Sequence, residues 1–270
     1  MDSLARLLFL KLDNKRMGEA TKNHRPPRLS ALLASDAPVG IVFRRGPTNL
    51  VRAILWDRER DKFKPGQLFK GRIFVDRSDL SPDGRHMIYF AMGGANWAIP
   101  ETGGTWTAIS AVPSLKAITL WGQGGETWGG GGLFTSNSSY WLDLNLRTFL
   151  IRDESKLTRF STRPAEYDVR RAGWVRKETA RGGIYEKFLP NGWVLRRIDQ
   201  YPKAHRYEIE LLEDRTKLEF RTWEWADWDR SRLVWAEQGW LRAAKLGVHK
   251  LGRIRTLYDF NETDVSRQLH

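Results

Sequence analysis

The stretch Ser78-Asp79-Leu80-Ser81-Pro82-Asp83-Gly84-Arg85-His86-Met87-Ile88-Tyr89-Phe90 reads as strand, tight turn, strand. Pro82 presets φ for a turn, and Gly84 supplies the positive φ that a bulged hairpin needs. The apolar run that follows ends in an aromatic, a side chain suited to a pleated, half-buried surface. Working outward, the same phrase of apolar residues closing on an aromatic recurs: Ile41-Val42-Phe43, Ile88-Tyr89-Phe90, Leu133-Phe134, Ile184-Tyr185 and Leu233-Val234-Trp235. The aromatics stand at 43, 90, 134, 185 and 235, with spacings of 47, 44, 51 and 50 residues. A period of this length is that of a four-stranded propeller blade.

Other units carry parts of the same grammar. The last one runs from Trp225-Ala226-Asp227 through Leu233-Val234-Trp235 and Trp240 to Leu246, then Ile254 to Tyr258. That is four strands in meander order. Asp79 and Asp227 fall at matching positions on first strands. Trp56-Asp57 ends a third strand in unit one, and Tyr140-Trp141-Leu142-Asp143-Leu144 takes the same role in unit three. Unit four admits two registers. Aligning aromatics places Tyr185 with the others, and this register keeps the spacing. Aligning Pro190-Asn191-Gly192 with Pro82-Asp83-Gly84 shifts the unit. The expected fold is all-β: a single β-propeller with five blades of four antiparallel strands. A strand near Leu29 to Ala34 is expected to complete the last blade and tie the ring shut.

Ser81-Pro82-Asp83-Gly84 followed by Ile88-Tyr89-Phe90 resembles the repeat signature of TolB-type and WD-repeat propellers, and Arg28 to Asn261 is similar to bacterial propeller-like proteins. The likeness is sharp in unit two, partial in units one and five, and poor in units three and four. No Gly-His pair opens the units as in WD repeats. The resemblance implies a fold and carries no function, because propellers host many.

Composition agrees with one large β domain. The chain has 270 residues with 13 Trp, 12 Phe and 7 Tyr, enough aromatic surface to fill the space between stacked sheets. There is no cysteine, which excludes disulfides, zinc ribbons and thiol catalysis and suits a reducing compartment. The apolar run Leu7 to Leu10 lies between Arg6 and Lys11 and is too short for a signal h-region. No run approaches the ~20 apolar residues that span a membrane. The expected organisation is a basic extension over 1–27, the propeller over 28–262 and a tail over 263–270, in a cytoplasmic bacterial protein. Met17 is a second candidate start.

Catalytic signatures are weak. Trp121 to Gly132 is glycine-rich, but no Gly-Lys-Ser/Thr follows, so the phosphate-loop reading yields to a hairpin and a closely packed glycine strand. The five histidines show no metal-ligand spacing. Asp79 and Asp227 are candidate channel acids, since first strands line the axis of a propeller and glycosidases use two facing carboxylates. The ordinary alternative is that such acids bond groups of neighbouring blades. No catalytic residue, metal or cofactor is assigned.

Charge is the most informative functional feature. The net charge is +13, and residues 159–206 hold 12 basic against 5 acidic residues. Arg163, Arg170, Arg171, Arg176, Lys177, Arg181, Arg196 and Arg197 are interleaved there with Trp174, Tyr185 and Trp193. Arginine beside aromatics is the composition of a strand-tracking nucleic-acid groove, and also of a strand surface on which arginine stems cover rings. Trp97, Trp106 and Trp128 fall in expected loops, where exposed Trp marks contact sites. The leading expectation is a non-catalytic scaffold that offers a propeller face to a protein partner. The alternatives are a nucleic-acid or other polyanion binder using the 159–206 surface, and a glycan-acting enzyme using the channel acids.

Overall fold

The computed structural model describes residues 25–46, 49–162, 170–171, 173–179, 182–199 and 205–261. Five small sheets are arranged in a ring, giving a five-bladed β-propeller. The first blade is a meander of β1 (Arg28–Leu33), β2 (Val39–Arg45), β3 (Leu50–Asp57) and β4 (Lys62–Lys70). The second holds β5 (Arg72–Leu80), β6 (His86–Met92), β7 (Thr105–Ala111) and β8 (Ala117–Gly122), with a short helix α1 (Ala98–Thr102) between β6 and β7. The third contains β9 (Gly132–Phe134), β10 (Ser139–Leu142) and β12 (Thr158–Phe160), and β11 (Phe149–Asp153) lies between the last two in the chain. The fourth comprises β13 (Arg170–Arg171), β14 (Trp174–Thr179), β15 (Gly182–Phe188), β16 (Trp193–Ile198), β17 (Arg206–Leu211) and β18 (Lys217–Phe220). The fifth is a meander of β19 (Trp223–Asp229), β20 (Arg232–Glu237), β21 (Trp240–Ala244) and β22 (Arg255–Asp259).

The deciding turn is built as its sequence dictates. Gly84 has φ +71° and its N–H donates to the Ser81 carbonyl at 2.8 Å. The Ser81 hydroxyl donates to Asp83 Oδ1 at 2.7 Å and accepts from the His86 N–H at 2.9 Å.

Four strands per blade holds only for the first and last. The second blade has five, because β11 leaves its own unit and pairs with β8. This covers the open edge of β8, which would otherwise present unpaired backbone groups. The third blade keeps three strands, one of them parallel: β12 returns beside β10 in the same direction. In the fourth blade the turn register prevails. Pro190–Gly192 joins β15 to β16, as Ser81 to Gly84 joins β5 to β6, so Tyr185 lies on the strand before the turn. Phe43, Phe90 and Trp235 lie on the strand after it.

Apolar clusters fill the boundaries between blades. Ile41, Phe43, Met87, Tyr89 and Trp106 meet between the first and second blades. Ile88, Ile109, Phe134 and Tyr140 meet between the second and third. Trp193, Ile209, Trp223 and Trp235 join the fourth to the fifth. Among the described residues no such cluster spans the third and fourth blades.

The ring closes without strand exchange. β1 pairs with β2 inside the first blade, not with the last blade, whose four strands come from its own unit. Closure rests on side chains instead. Trp56, fully buried, sits with Leu29, Val42, Val234, Leu241 and Phe260 in the cluster between first and fifth blades. The Arg232 guanidinium holds both carboxylate oxygens of Asp61 at 2.7 Å and also donates to Asp229 Oδ2 at 2.8 Å. Arg58 lies 3.6 Å from the other oxygen of Asp229 and donates to the carbonyls of Ala34 and Ala37 at 2.8 and 2.7 Å. Its pKa is lowered by burial, against the attraction of Asp229. Removing a carboxylate that a buried guanidinium faces leaves an uncompensated charge. Asp229→Ala should therefore cost on the order of 3–5 kcal/mol. Urea denaturation of the variant should show a lower midpoint, and an unchanged midpoint would mean that this network does not hold the ring.

Candidate binding face and central cavity

Strands of the first, second, fourth and fifth blades line a cavity of about 1040 Å3. β1 and β5 line it along most of their lengths, together with the first half of β19. The fourth blade lines it differently. A register row runs across its sheet as Arg176, Tyr185, Arg197 and Tyr207, and all four face the cavity. The next residues of that face, Leu195, Ile209 and Trp193, pack on the fifth blade. One residue out of phase, Arg196 faces the other way with Glu186 and Glu208, as strand alternation requires.

The two candidate channel acids both line the cavity, and each is bonded across a blade boundary. Asp79 Oδ2 accepts the Phe134 N–H of the third blade at 2.8 Å. Asp227 forms an ion pair with Lys187 of the fourth blade and accepts a long bond from Trp174 Nε1 at 3.5 Å. Lys187 and Asp227 are both buried, and the ammonium also stands 5.3 Å from the centre of the Trp174 ring.

The eight basic candidates divide. Arg163 and Arg181 lie outside the described residues. Arg170 and Arg171 pair through their backbone with Val175 and Trp174. Arg176 faces the cavity. Lys177 bridges Glu186 at 2.7 Å. Arg196 is ringed by Glu186 at 2.6 Å, by Glu208 and by Glu210. Arg197 reaches across to Asp76 of the second blade at 3.0 Å, pairs with Asp199 and lies 4.4 Å over the Tyr185 ring. Lys177 and Arg196 thus lie on the sheet face opposite Arg197, and all three are paired with carboxylates.

The three tryptophans expected in loops also separate, and Trp106 lies on β7 instead. Trp106 is buried at 2% exposure, in contact with Phe69 and Trp97. Trp97 is 43% exposed and Trp128 83%. Ladder register puts them at one end of the ring, since Met92, Thr105 and Gly122 close the strands from which their loops spring. Ile99 of α1 and Leu146, both exposed, join them. The loops are braced. Asn145 Nδ2 donates to the Trp128 carbonyl at 3.0 Å, Arg147 bridges Glu126 at 3.0 Å, and the Gly124 N–H donates to Thr102 O at 2.9 Å.

Glycine is required where this layer folds under. Gly131 has φ +86°, and a Cβ there would stand 1.9 Å from the Arg77 carbonyl oxygen. Its N–H donates to Thr107 Oγ1 at 2.8 Å. Arg77 clasps the loop through the carbonyls of Thr127 and Gly129, both at 2.7 Å. The glycine run is close packing, as its sequence suggested.

Sequence reading missed a set of cavity arginines, Arg28, Arg45 and Arg72. They are far apart in the chain, and only ladder register brings Arg28 beside Arg45. Among the described residues no group of three or more His, Asp or Glu side chains is placed to hold a metal ion. No described helix is long and apolar enough to cross a membrane.

These features define a five-bladed propeller with a charged central cavity and an apolar, loop-built end. No protein-family model matches the chain, and no curated protein is significantly similar to it in sequence.

Two outcomes test the pairing. Asp227→Asn should lower stability by about 3 kcal/mol by stranding the buried Lys187 ammonium. Adding Lys187→Met should recover part of that loss, and a double-mutant cycle by urea denaturation measures the coupling. Strictly additive effects would mean that the pair is not coupled. At Glu186, burial raises the carboxyl pKa, but the bonds from Lys177 and Arg196 outweigh it and hold the pKa below the usual carboxylate value. A depressed folded pKa gives stability that is present above the unfolded value, about 4.3, and is lost as pH falls through the folded one. Glu186→Gln should therefore be less stable than the parent at neutral pH. The difference should vanish in strong acid when melting is followed against pH.

Proposed function

We propose that this protein is a non-catalytic binding protein that offers one end of its propeller to a protein partner. The observation that supports the reading is Trp128. A tryptophan 83% exposed on a loop braced from three sides is an apolar anchor already held in place, so docking it loses little conformational entropy. Ile99, Leu146 and Trp97 extend the apolar surface around it. The reading includes a cytoplasmic setting and a bacterial source. It also includes kinship with TolB-type or WD-repeat propellers, supported by the Ser81-Pro82-Asp83-Gly84 turn.

No specific observation favours glycan hydrolysis, since Asp79 and Asp227 already serve blade-to-blade bonds. Nor does one favour nucleic-acid binding through the 159–206 surface, where Lys177, Arg196 and Arg197 are paired with carboxylates.

The test is a pull-down from host lysate after nuclease treatment, at low and high salt, comparing the parent with Trp128→Ala/Leu146→Ser. The expected outcome is a discrete protein retained by the parent in high salt and lost by the variant, whose melting temperature is unchanged. Nucleic acid retained only at low salt by both proteins would replace this reading with polyanion binding. A partner held equally by both would move the interface elsewhere on the molecule.

A further inference from the structure

Three arginines meet at the rim of the central cavity. Arg28 opens β1 and is the ladder partner of Arg45, which closes β2. Arg72 opens β5, the neighbouring inner strand, and its guanidinium is held 4.3 Å over the Phe74 ring. All three line the cavity. Among the described residues no carboxylate forms an ion pair with any of them. The closest acid in effect is Glu224, whose Oε2 already accepts the Leu29 N–H at 2.8 Å; Arg28 acts on its charge, and burial raises its pKa.

The cluster is electrostatically costly as it stands. Arg45 is half-buried, and its pKa is lowered by that burial and then by the charges of Arg72 and Arg28. Arg58, Arg197 and Arg232, by contrast, face carboxylates.

We propose that Arg28, Arg45 and Arg72 form a binding site for the phosphate group of a small anionic molecule seated in the central cavity. Guanidinium forks match phosphate oxygens in geometry and remain charged at any working pH. The cavity has the size of a small-molecule site. Farther around its wall Asp76, Asp79, Asp199 and Asp227 stand with Arg77, Arg176, Arg197 and Arg221, so the wall is mixed in charge and offers a continuous polyanion no uniformly basic track. A nucleic-acid strand threading the cavity is disfavoured for that reason. A single phosphate at the arginine rim is not, and its uncharged hydroxyls can donate to those carboxylates.

The test is isothermal titration of the full chain at fixed ionic strength in chloride buffer. The probes are glycerol phosphate, glycerol, inorganic phosphate and a single-stranded oligonucleotide. The parent should bind glycerol phosphate saturably and ignore glycerol. Binding of inorganic phosphate with equal affinity would assign the site to the free ion, and preference for the ester would assign it to a phosphorylated organic molecule. Either Arg45→Gln or Arg72→Gln should weaken binding by at least about tenfold, the loss of roughly one charge-assisted hydrogen bond. Neither should lower the melting temperature of the unliganded protein, because each relieves like-charge repulsion. Lys64→Gln, on an exposed strand outside the cavity, should leave binding unchanged. Three results would overturn the proposal: no saturable binding of either phosphate compound by the folded parent, an equal loss with Lys64→Gln, or arginine-dependent binding of the oligonucleotide alone.

Discussion

The buried carboxylate of Asp229 joins the two ends of the ring. Its two oxygens face Arg58 and Arg232, and Arg232 in turn grips Asp61 of the first blade. A propeller blade cannot bury both faces of its sheet alone, so the first and last blades must cover each other. Many closed β architectures solve this by continuing hydrogen-bonded ladders around the ring. Here β1 stays within its own blade, and closure depends on packing around Trp56 together with this ionic network. Buried ion pairs stabilise only when geometry is good and spare hydrogen-bonding groups are satisfied. The bidentate grip on Asp61, the donation to Asp229 Oδ2 and the carbonyl partners of Arg58 meet most of that condition, while Arg58 Nε and Asp229 Oδ1 are buried without a hydrogen bond.

The same economy explains why a strongly basic sequence stretch does not make an uninterrupted basic surface. Strand alternation splits β16 into two faces. Arg197 goes to the cavity and Arg196 to the opposite side, where Glu186, Glu208 and Glu210 surround it. Glu208 and Glu210 come from β17, just beyond the basic stretch of residues 159–206. Net charge over a window of sequence says little about a sheet, because a strand's electrostatic neighbours are set by ladder register.

The fold was legible where turn chemistry is local. Pro82 and Gly84 fix a hairpin by their own backbone preferences, and Phe43, Phe134 and Trp235 of the aromatic period stand in the clusters between blades. Legibility failed where pairing is non-local. Tyr185 keeps the period yet stands on the strand before its turn, lying beneath Arg197 instead of filling a boundary between blades. Nothing in Phe149 to Asp153 states that it will cross to β8, since that choice depends on an open edge in another blade. Of the candidate site, the exposure of Trp97 and Trp128 and the close packing of the glycine run were readable from loop composition. The cluster of Arg28, Arg45 and Arg72 was not, because two of its members become neighbours only through the β1–β2 ladder and the third through the packing of β5 on β1.

The placement of these features gives the molecule two chemically distinct surfaces at one end. Arg72 is the ladder partner of Met92, and the loop that carries Trp97 and Ile99 begins directly after Met92. The arginine rim and the apolar loops are therefore built on the same strand termini. Gly131 couples them more closely: it lies under the Trp128 loop against Arg77, and Arg77 lies on β5, the strand that Arg72 opens. β5 thus carries Arg72 at its start and, five residues on, Arg77, which holds the Trp128 loop through the carbonyls of Thr127 and Gly129. The two surfaces therefore share one strand of nine residues, β5.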